Sequence, residues 1–238
     1  MINKTKIVAT IGPSTSSKEM LRKIIQRGVN VCRINLSHMS HVEAKEIINS
    51  IKEVNKQLHT HIAILADLQG PKIRVGTFEK PIKLKKGSHI YFNTTKKQPN
   101  DIFISYSNFA KDVKKGDRVL LDDGKLSLLV ENTNGKNRVK LKVVFGGLLK
   151  SNKGVNLPNT DISLPCLTKK DKEDLSFILE EKIEWIGLSF VRSAEDVKKL
   201  KTIIKRHKKS QALVIAKIEK PEAINDIDNI ILETDAIM

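Results

Sequence analysis

The sequence is poor in residue types that mark several specialised classes of protein. Only two of its 238 residues are cysteine, and aromatic residues make up 4%. Because Cys32 and Cys166 lie far apart and in different sequence contexts, they suggest neither a disulfide framework nor a cysteine-ligated metal site. The scarcity of aromatic side chains argues against the stacking platforms that bind single-stranded nucleic acids.

Long apolar runs and glycine-rich phosphate motifs are also lacking. No run approaches the roughly 18 apolar residues of a membrane-spanning helix, and "MINKTKIVATIG" enters a strand without the apolar segment of a signal peptide. We therefore expect a cytoplasmic protein with no membrane partner. Neither G-x-G-x-x-G nor G-x-x-x-x-G-K-[ST] occurs, so a Rossmann or P-loop nucleotide site has no support.

Positive charge is abundant, with a formal net charge of +16. Such an excess can indicate a nucleic-acid partner. However, only eight of the 43 basic residues are arginine, the residue best suited to bidentate phosphate and base contacts. The densest basic run, "KKLKTIIKRHKK" at 198–209, is typical of the solvated face of an amphipathic helix. We therefore predict no nucleic-acid partner.

Apolar runs alternate with helix signals at both ends of the chain. The runs occupy 7–12, 29–37, 61–68, 183–190 and 212–219, and a sixth opens at 235. Four pairs match the capping pattern [ST]-x-x-[DE], and Pro221 fits the first turn of a further helix; the pairs are Ser16 with Glu19, Ser40 with Glu43, Thr168 with Asp171, and Ser193 with Asp196. Alternating apolar strands and capped helices predict an α/β fold with a parallel sheet.

The middle of the chain follows a different pattern. Residues from about 72 to 163 consist of short β-like runs broken by Gly, Asn, Pro and Asp, with no helical period. This pattern predicts a separate all-β module inserted into the α/β frame.

Polar residues cluster where the predicted parallel strands end. They are Arg33, Asn35, Ser37, Asp67, Ser189, Lys217 and Glu219. Convergence from four strands favours the active-site face of a (β/α)₈ barrel over a doubly wound sheet. Lys217 and Glu219 lie two residues apart and point to the same side, so they read as a cation and a metal-binding carboxylate rather than an exposed ion pair.

Arg33 and two histidines complete this set. An arginine inside "VNVCRINL" is costly unless it meets an anion. His38 and His41 could indicate a metal site, but no third nitrogen or sulfur ligand is spaced to join them. We expect one of them to contact a ligand or to cap the following helix.

Seven motifs resemble, in order, those of the pyruvate kinase family. They are "TKIVATIGPSTSS", "VNVCRINLSH", "LADLQGPKIRVG", "LLDDGKLSLLV", "KGVNLP", "LSFVRSAEDV" and "VIAKIEKPEAI". The resemblance implies a TIM-barrel A domain at 1–71 and 164–238, cut short after about five strands. It also implies an inserted β-rich B domain at 72–163 that acts as a mobile lid. The implied reaction moves the phosphoryl group of phosphoenolpyruvate to ADP, giving ATP and pyruvate.

The resemblance also implies roles for individual residues. Arg33 would hold the substrate phosphate, Lys217 would stabilise the transition state, and Glu219 would bind Mg²⁺. The implied nucleotide contacts are Asn35, Leu36, Ser37, His38, Arg74 and Lys153, with Asp123 as an acid of the lid.

A monovalent cation is a further implied cofactor. In potassium-dependent members, K⁺ is held by oxygens matching Asn35, Ser37, Asp67 and the Leu68 carbonyl. Those members usually carry glutamate where this chain has Lys72, and "DLQGPKIRV" resembles the potassium-independent branch. Because a lysine ammonium is a compact positive charge on a long stem, our hypothesis is that Lys72 replaces K⁺.

Family members continue beyond "ETDAIM" into further barrel strands and a regulatory domain. We therefore expect these 238 residues to be an inactive fragment. The resemblance implies that the full-length protein is a homotetramer. Two other functions stay open at this point. One is a different barrel enzyme acting on phosphoenolpyruvate or pyruvate, and the other is a non-catalytic, basic binding protein.

Overall fold

The computed structural model describes residues 5–37, 39–95, 100–158, 160, 162–207 and 211–238. Their contacts define two compact units, one within 1–71 and 165–238 and the other within 72–164. Among the described residues, no helix combines the length and the hydropathy needed to cross a membrane.

The secondary structure follows one order along the chain. The first part contains β1 (Val8–Ile11), α1 (Lys18–Gln26), β2 (Val31–Asn35), α2 (His41–Leu58) and β3 (Ala63–Asp67). The middle contains β4 (Ile82–Leu84), β5 (His89–Asn93), β6 (Ile102–Phe103), α3 (Phe109–Asp112), β7 (Arg118–Leu121), β8 (Leu126–Thr133), β9 (Arg138–Phe145), β10 (Gly147–Leu149) and β11 (Val155–Asn156). The last part contains α4 (Lys169–Glu181), β12 (Trp185–Leu188), α5 (Ala194–Arg206), β13 (Leu213–Ala216), α6 (Pro221–Asn225), α7 (Ile227–Glu233) and β14 (Ala236–Ile237).

The unit that joins the two ends of the chain is built on a parallel sheet. Its six strands lie in the order β1-β2-β3-β12-β13-β14, and each neighbouring pair is parallel. The α/β class and the parallel sheet are thereby confirmed. Apolar side chains of the strands and helices form one core, which includes Cys32, Ile64 and Val214. These strands are nearly continuous apolar runs because both faces of a parallel sheet are covered.

Most predicted helix starts are confirmed, and one is displaced. Ser40 and Thr168 form complete capping boxes with Glu43 and Asp171, and Pro221 occupies the first turn of α6. The assignment of Ser16 as a cap is wrong. Since α1 begins at Lys18, the hydroxyl that accepts from the Met20 amide is that of Ser17.

The fourth predicted cap differs in chemistry rather than in place. Ser193 is the N-cap of α5, but its side chain makes no capping hydrogen bond. Asp196 instead accepts from the Arg192 amide at 3.2 Å. The carboxylate therefore satisfies a backbone donor one residue before the predicted position.

The middle unit is a β structure with its own core. Six strands form a sheet in the order β11-β7-β8-β9-β5-β6, and β4 pairs with β10 in a second, two-stranded sheet. Phe92, Phe109 and Leu128 lie in its separate apolar cluster and are fully buried. The expectation of no helix here is wrong in one place, because α3 makes a single turn at Phe109–Asp112. Phe109 and Ala110 of that turn are buried, so core packing stabilises a helix too short to show a period.

Candidate active site

A buried carboxylate, Asp67, lies between two cationic side chains. Its Oδ2 accepts hydrogen bonds from Arg33 Nε at 2.9 Å and Arg33 Nη2 at 2.5 Å. Lys217 Nζ lies 3.1 Å from Oδ1 and 3.2 Å from Oδ2. Asp67 is 3% exposed, so these protein groups, rather than water, stabilise its charge. These bonds orient both cations.

Sheet register explains why these side chains meet. Asp67 ends β3 and pairs with Asn35 of β2 on one side and with Gly187 of β12 on the other. Lys217 follows β13, which lies next to β12. The carboxyl ends of these parallel strands share one edge, so residues distant in sequence are brought within hydrogen-bonding distance.

Glu219 adds a second carboxylate beside Lys217. Its Oε1 lies 3.3 Å from Lys217 Nζ, and its Oε2 accepts from the Phe190 amide at 2.9 Å. Phe190 has a positive φ of 56°, a conformation uncommon for a bulky residue. Such conformations are concentrated at functional sites, where the surrounding structure holds them in place.

Ser189 connects this cluster to the neighbouring strand. Its hydroxyl donates to the Leu68 carbonyl at 2.7 Å and accepts from Lys217 Nζ at 2.9 Å. Lys217 therefore has three described polar partners, Asp67, Ser189 and Glu219, and its side chain is only 14% exposed. The ammonium group is held in a fixed position at the strand ends.

The residues present are compatible with a divalent cation in one respect. Glu219 is 35% exposed at its side chain, so this carboxylate is partly accessible to solvent at the ends of the strands. Mg²⁺ is commonly held by one or two carboxylates together with substrate phosphates and waters. Among the described residues, His, Cys, Asp and Glu do not gather in threes that could hold a metal without such a substrate. Glu219 therefore fits a metal shared with a bound phosphate.

The oxygens expected to bind K⁺ are partly engaged with other donors. Asn35 Oδ1 accepts from the Ser37 amide at 3.1 Å, and the Leu68 carbonyl accepts from Ser189. Leu36, predicted as a nucleotide contact, is buried and donates its amide to the Asp67 carbonyl at 3.2 Å. His38 lies outside the described residues.

The remaining predicted nucleotide contacts belong to the middle unit. Arg74 Nη1 donates to the Asn152 carbonyl at 3.2 Å, and Lys153 Nζ lies 2.7 Å from Asp122 Oδ1. That hydrogen bond from Lys153 lowers the pKa of Asp122 below its ordinary value. Asp123 is exposed with a positive φ of 56°, and Lys72 is exposed.

Sequence reasoning missed several residues that build the site. Gly187 lies against Asp67, because a Cβ at this position would be 3.0 Å from Asp67 Oδ1. Thr10 accepts from Arg33 Nη1 at 2.8 Å, and Lys170 donates to the Leu36 carbonyl at 2.9 Å. Buried Asp171, predicted only as the capping partner of Thr168, also accepts from the Gly70 amide at 3.1 Å. The only signal in the sequence was Gly187 inside the apolar run 183–190, since a glycine within a strand can mark close approach of another group. The other contacts join elements that are distant in sequence.

His41 packs against α4 and is not the cap of α2. That one of His38 and His41 contacts a ligand stays a prediction, since His38 lies outside the described residues. His41 is the first residue of α2, its ring stacks on Phe177 at 4.6 Å, and its Nε2 lies 2.8 Å from Asp174 Oδ1. The helix is capped by Ser40 instead.

The family model described as "Pyruvate kinase, barrel domain" matches residues 2–238. The chain belongs to the pyruvate kinase family. Pyruvate kinase 2 of Synechocystis sp. is 44% identical over 241 residues, covering 99% of this chain and 41% of that relative. Pyruvate kinase of Staphylococcus aureus (strain MRSA252) is 40% identical over 241 residues, covering 100% of this chain and 41% of the relative. The chain thus spans about two fifths of the length of these curated pyruvate kinases.

Proposed function

We propose that this chain carries the phosphoenolpyruvate-binding part of an enzyme that transfers the substrate's phosphoryl group to ADP. The observation that carries the proposal is the placement of Arg33 and Lys217 on one buried carboxylate, with Glu219 beside Lys217. Phosphoryl transfer requires positioned positive charge more than covalent catalysis, because negative charge is spread over the transferring oxygens. The names of the relatives support the same reaction.

Each residue has a distinct proposed role. Arg33 binds the substrate phosphate with its planar set of donors, while Asp67 holds that guanidinium in orientation. Lys217 stabilises charge on the enolate oxygen when the bond from oxygen to phosphorus breaks and ADP receives the phosphoryl group. Glu219 is a ligand of Mg²⁺, which would supply charge neutralisation and a template for the phosphates.

The proposal extends to architecture and setting. The six-stranded sheet would form part of a TIM barrel, and residues 72–163 would form a mobile lid carrying Arg74, Asp123 and Lys153 to the nucleotide. The full-length protein would be a cytoplasmic homotetramer. Negligible kinase activity of these 238 residues alone stays a prediction, checked by following ATP formation from phosphoenolpyruvate and ADP.

Substrate binding tests the proposal directly on this chain. Titration with phosphoenolpyruvate and Mg²⁺ in a calorimeter should show one saturable site. Arg33→Leu and Lys217→Met should each weaken it at least about tenfold, because each removes a charged contact to the ligand. Lys201→Met is the matched control, since Lys201 makes a similar ion pair with Asp235 elsewhere. Equal affinity in all three variants would exclude this site.

Lys72 offers a separate test of the monovalent cation. We propose that its ammonium supplies the charge that K⁺ brings to other members. The full-length enzyme should then turn over equally fast in Na⁺ and K⁺, and Lys72→Glu should make its rate depend on K⁺. A many-fold stimulation of the unsubstituted enzyme by K⁺ would refute the hypothesis.

A further inference from the structure

A cavity lies in the α/β unit, outside the cluster around Asp67. Its volume is about 390 Å³, within the usual range for small-ligand sites. It is bounded by α5, by the start of α4 and by the segment 165–167 that precedes α4. Nothing in the proposed phosphoryl transfer makes use of it.

The rim of this cavity is strongly cationic. It carries Lys172, Arg192, Lys198, Lys199 and Arg206. Lys199 and Arg206 lie two turns apart on α5 and so project from the same face of that helix, and Lys198 also lines the cavity. Within the described part of the chain, neither Lys172, Lys199 nor Arg206 forms an ion pair. Their mutual repulsion would be relieved by a bound anion.

Two acidic residues of the rim do not neutralise this charge. Asp196 is already engaged, since its Oδ2 accepts from the Arg192 amide at 3.2 Å and lies 3.6 Å from Arg192 Nε. Glu195 is exposed at the first turn of α5. The carboxylate of Glu195 therefore remains opposite four basic side chains, those of Lys172, Lys198, Lys199 and Arg206. The cavity keeps a net positive charge.

The floor of the cavity is apolar. Cys166 and Leu167 are buried, and Ile203 is half-buried between them and solvent. Burial raises the pKa of the Cys166 thiol, whose Sγ lies 3.6 Å from the Ser189 carbonyl as a donor. The thiol therefore stays neutral near pH 7 and contributes an uncharged wall.

We propose that this cavity binds a small phosphate monoester whose carbon part is apolar. The basic rim matches a dianionic phosphate, and the floor of Cys166, Leu167 and Ile203 matches a ring or an acyl chain. Its size suits a single small molecule rather than a stretch of nucleic acid. The assignment is independent of the function proposed for the Asp67 cluster.

Phenyl phosphate is a suitable probe, because it combines the two required properties. Titration of the isotope-labelled 238-residue chain, followed by NMR, should shift the amide signals of Leu167, Thr202 and Ile203 saturably. Inorganic phosphate should bind these amides at least about tenfold more weakly, since it leaves the apolar floor uncovered. Equal affinities for the two probes, or no shifts at these three amides, would overturn the proposal.

Substitutions on α5 supply the control. The pair Lys199→Ala and Arg206→Ala should reduce affinity for phenyl phosphate at least about tenfold, through loss of two charged contacts. Lys205→Ala removes an exposed charge from the same helix but not from the cavity, and should leave affinity unchanged. Equal losses of affinity in the double variant and in Lys205→Ala would mean that binding depends only on the overall charge of the helix, which would also overturn the proposal. Thr202→Phe narrows the cavity without changing charge and should weaken binding of phenyl phosphate more than of inorganic phosphate.

Discussion

Asp67 shows how one buried acid organises a site made of residues distant in sequence. It accepts hydrogen bonds from Arg33 and Lys217, and Gly187 leaves room for its carboxylate. Sequence reasoning found the acid and both cations, because polar residues at the ends of apolar strands are conspicuous. It could not find Thr10 or Lys170, since ordinary polar residues acquire their role only through tertiary contacts.

Adding one methyl group at Gly187 tests this arrangement. In Gly187→Ala the new Cβ would lie 3.0 Å from Asp67 Oδ1, so the carboxylate must move away from its partners. We expect a loss of about 1–3 kcal/mol in the free energy of unfolding, measured in urea. Gly12→Ala is the control, because a Cβ there meets no atom within 4 Å, and its effect should stay within about 0.5 kcal/mol. Equal effects would mean that contact with Asp67 is unimportant.

Lys220 provides a prediction about pH. It is 7% exposed, and burial lowers its pKa below the ordinary 10.5. The unfolded chain therefore binds a proton more tightly, so the free energy of unfolding should rise as pH increases from the lowered pKa toward 10.5. In Lys220→Met this contribution to the slope should be absent. An identical pH dependence of urea unfolding in the two proteins would contradict the prediction.

At the scale of single elements, short capping motifs in the sequence predict where most of the helices begin. The capping boxes of Ser40 and Thr168 are readable because the partners lie three residues apart. The start of α1 was placed one residue early, since Ser16 and Ser17 are chemically equivalent candidates and only the backbone selects between them. The turn α3 gave no signal, because a four-residue helix shows no period.

The two serines before α1 make a matched pair. Ser17→Ala removes the hydroxyl that accepts from the Met20 amide and should cost about 1 kcal/mol in the free energy of unfolding. Ser16→Ala removes only a 3.4 Å contact to the Pro13 carbonyl and should cost less than about 0.5 kcal/mol. Urea denaturation of both variants decides between them. A larger loss of unfolding free energy for Ser16→Ala would show that Ser16, and not Ser17, caps α1.

At the scale of the whole molecule, the limits of sequence reasoning are topological. The order of the parallel sheet follows from alternating strands and helices, which have few ways to connect. The order β11-β7-β8-β9-β5-β6 in the middle unit does not, because antiparallel strands can pair in many arrangements. The TIM barrel, expected from polar residues at several strand ends and from the family resemblance, stays a prediction, as does the lid.

Two separate apolar clusters predict that the middle unit folds alone. A peptide of residues 72–164 retains the cluster around Phe92, Phe109 and Leu128 and every strand of its two sheets. It should give dispersed NMR signals and a cooperative unfolding transition. Asp112→Asn, which weakens the hydrogen bond from the Tyr106 hydroxyl, should lower its melting temperature. A peptide without cooperative unfolding would show that the other unit is required.

The short segment from Ser189 to Arg192 contacts the cluster around Asp67 at one end and the basic cavity at the other. At its start, Ser189 and Phe190 hydrogen-bond to Leu68 and Glu219; at its end, Arg192 faces the basic cavity. A compound seated in that cavity would thus lie beside Arg192, three peptide bonds from Ser189, whose hydroxyl accepts a hydrogen bond from Lys217 Nζ. By thermodynamic linkage, any effect of such a compound on substrate affinity must be matched by an equal effect of substrate on the compound.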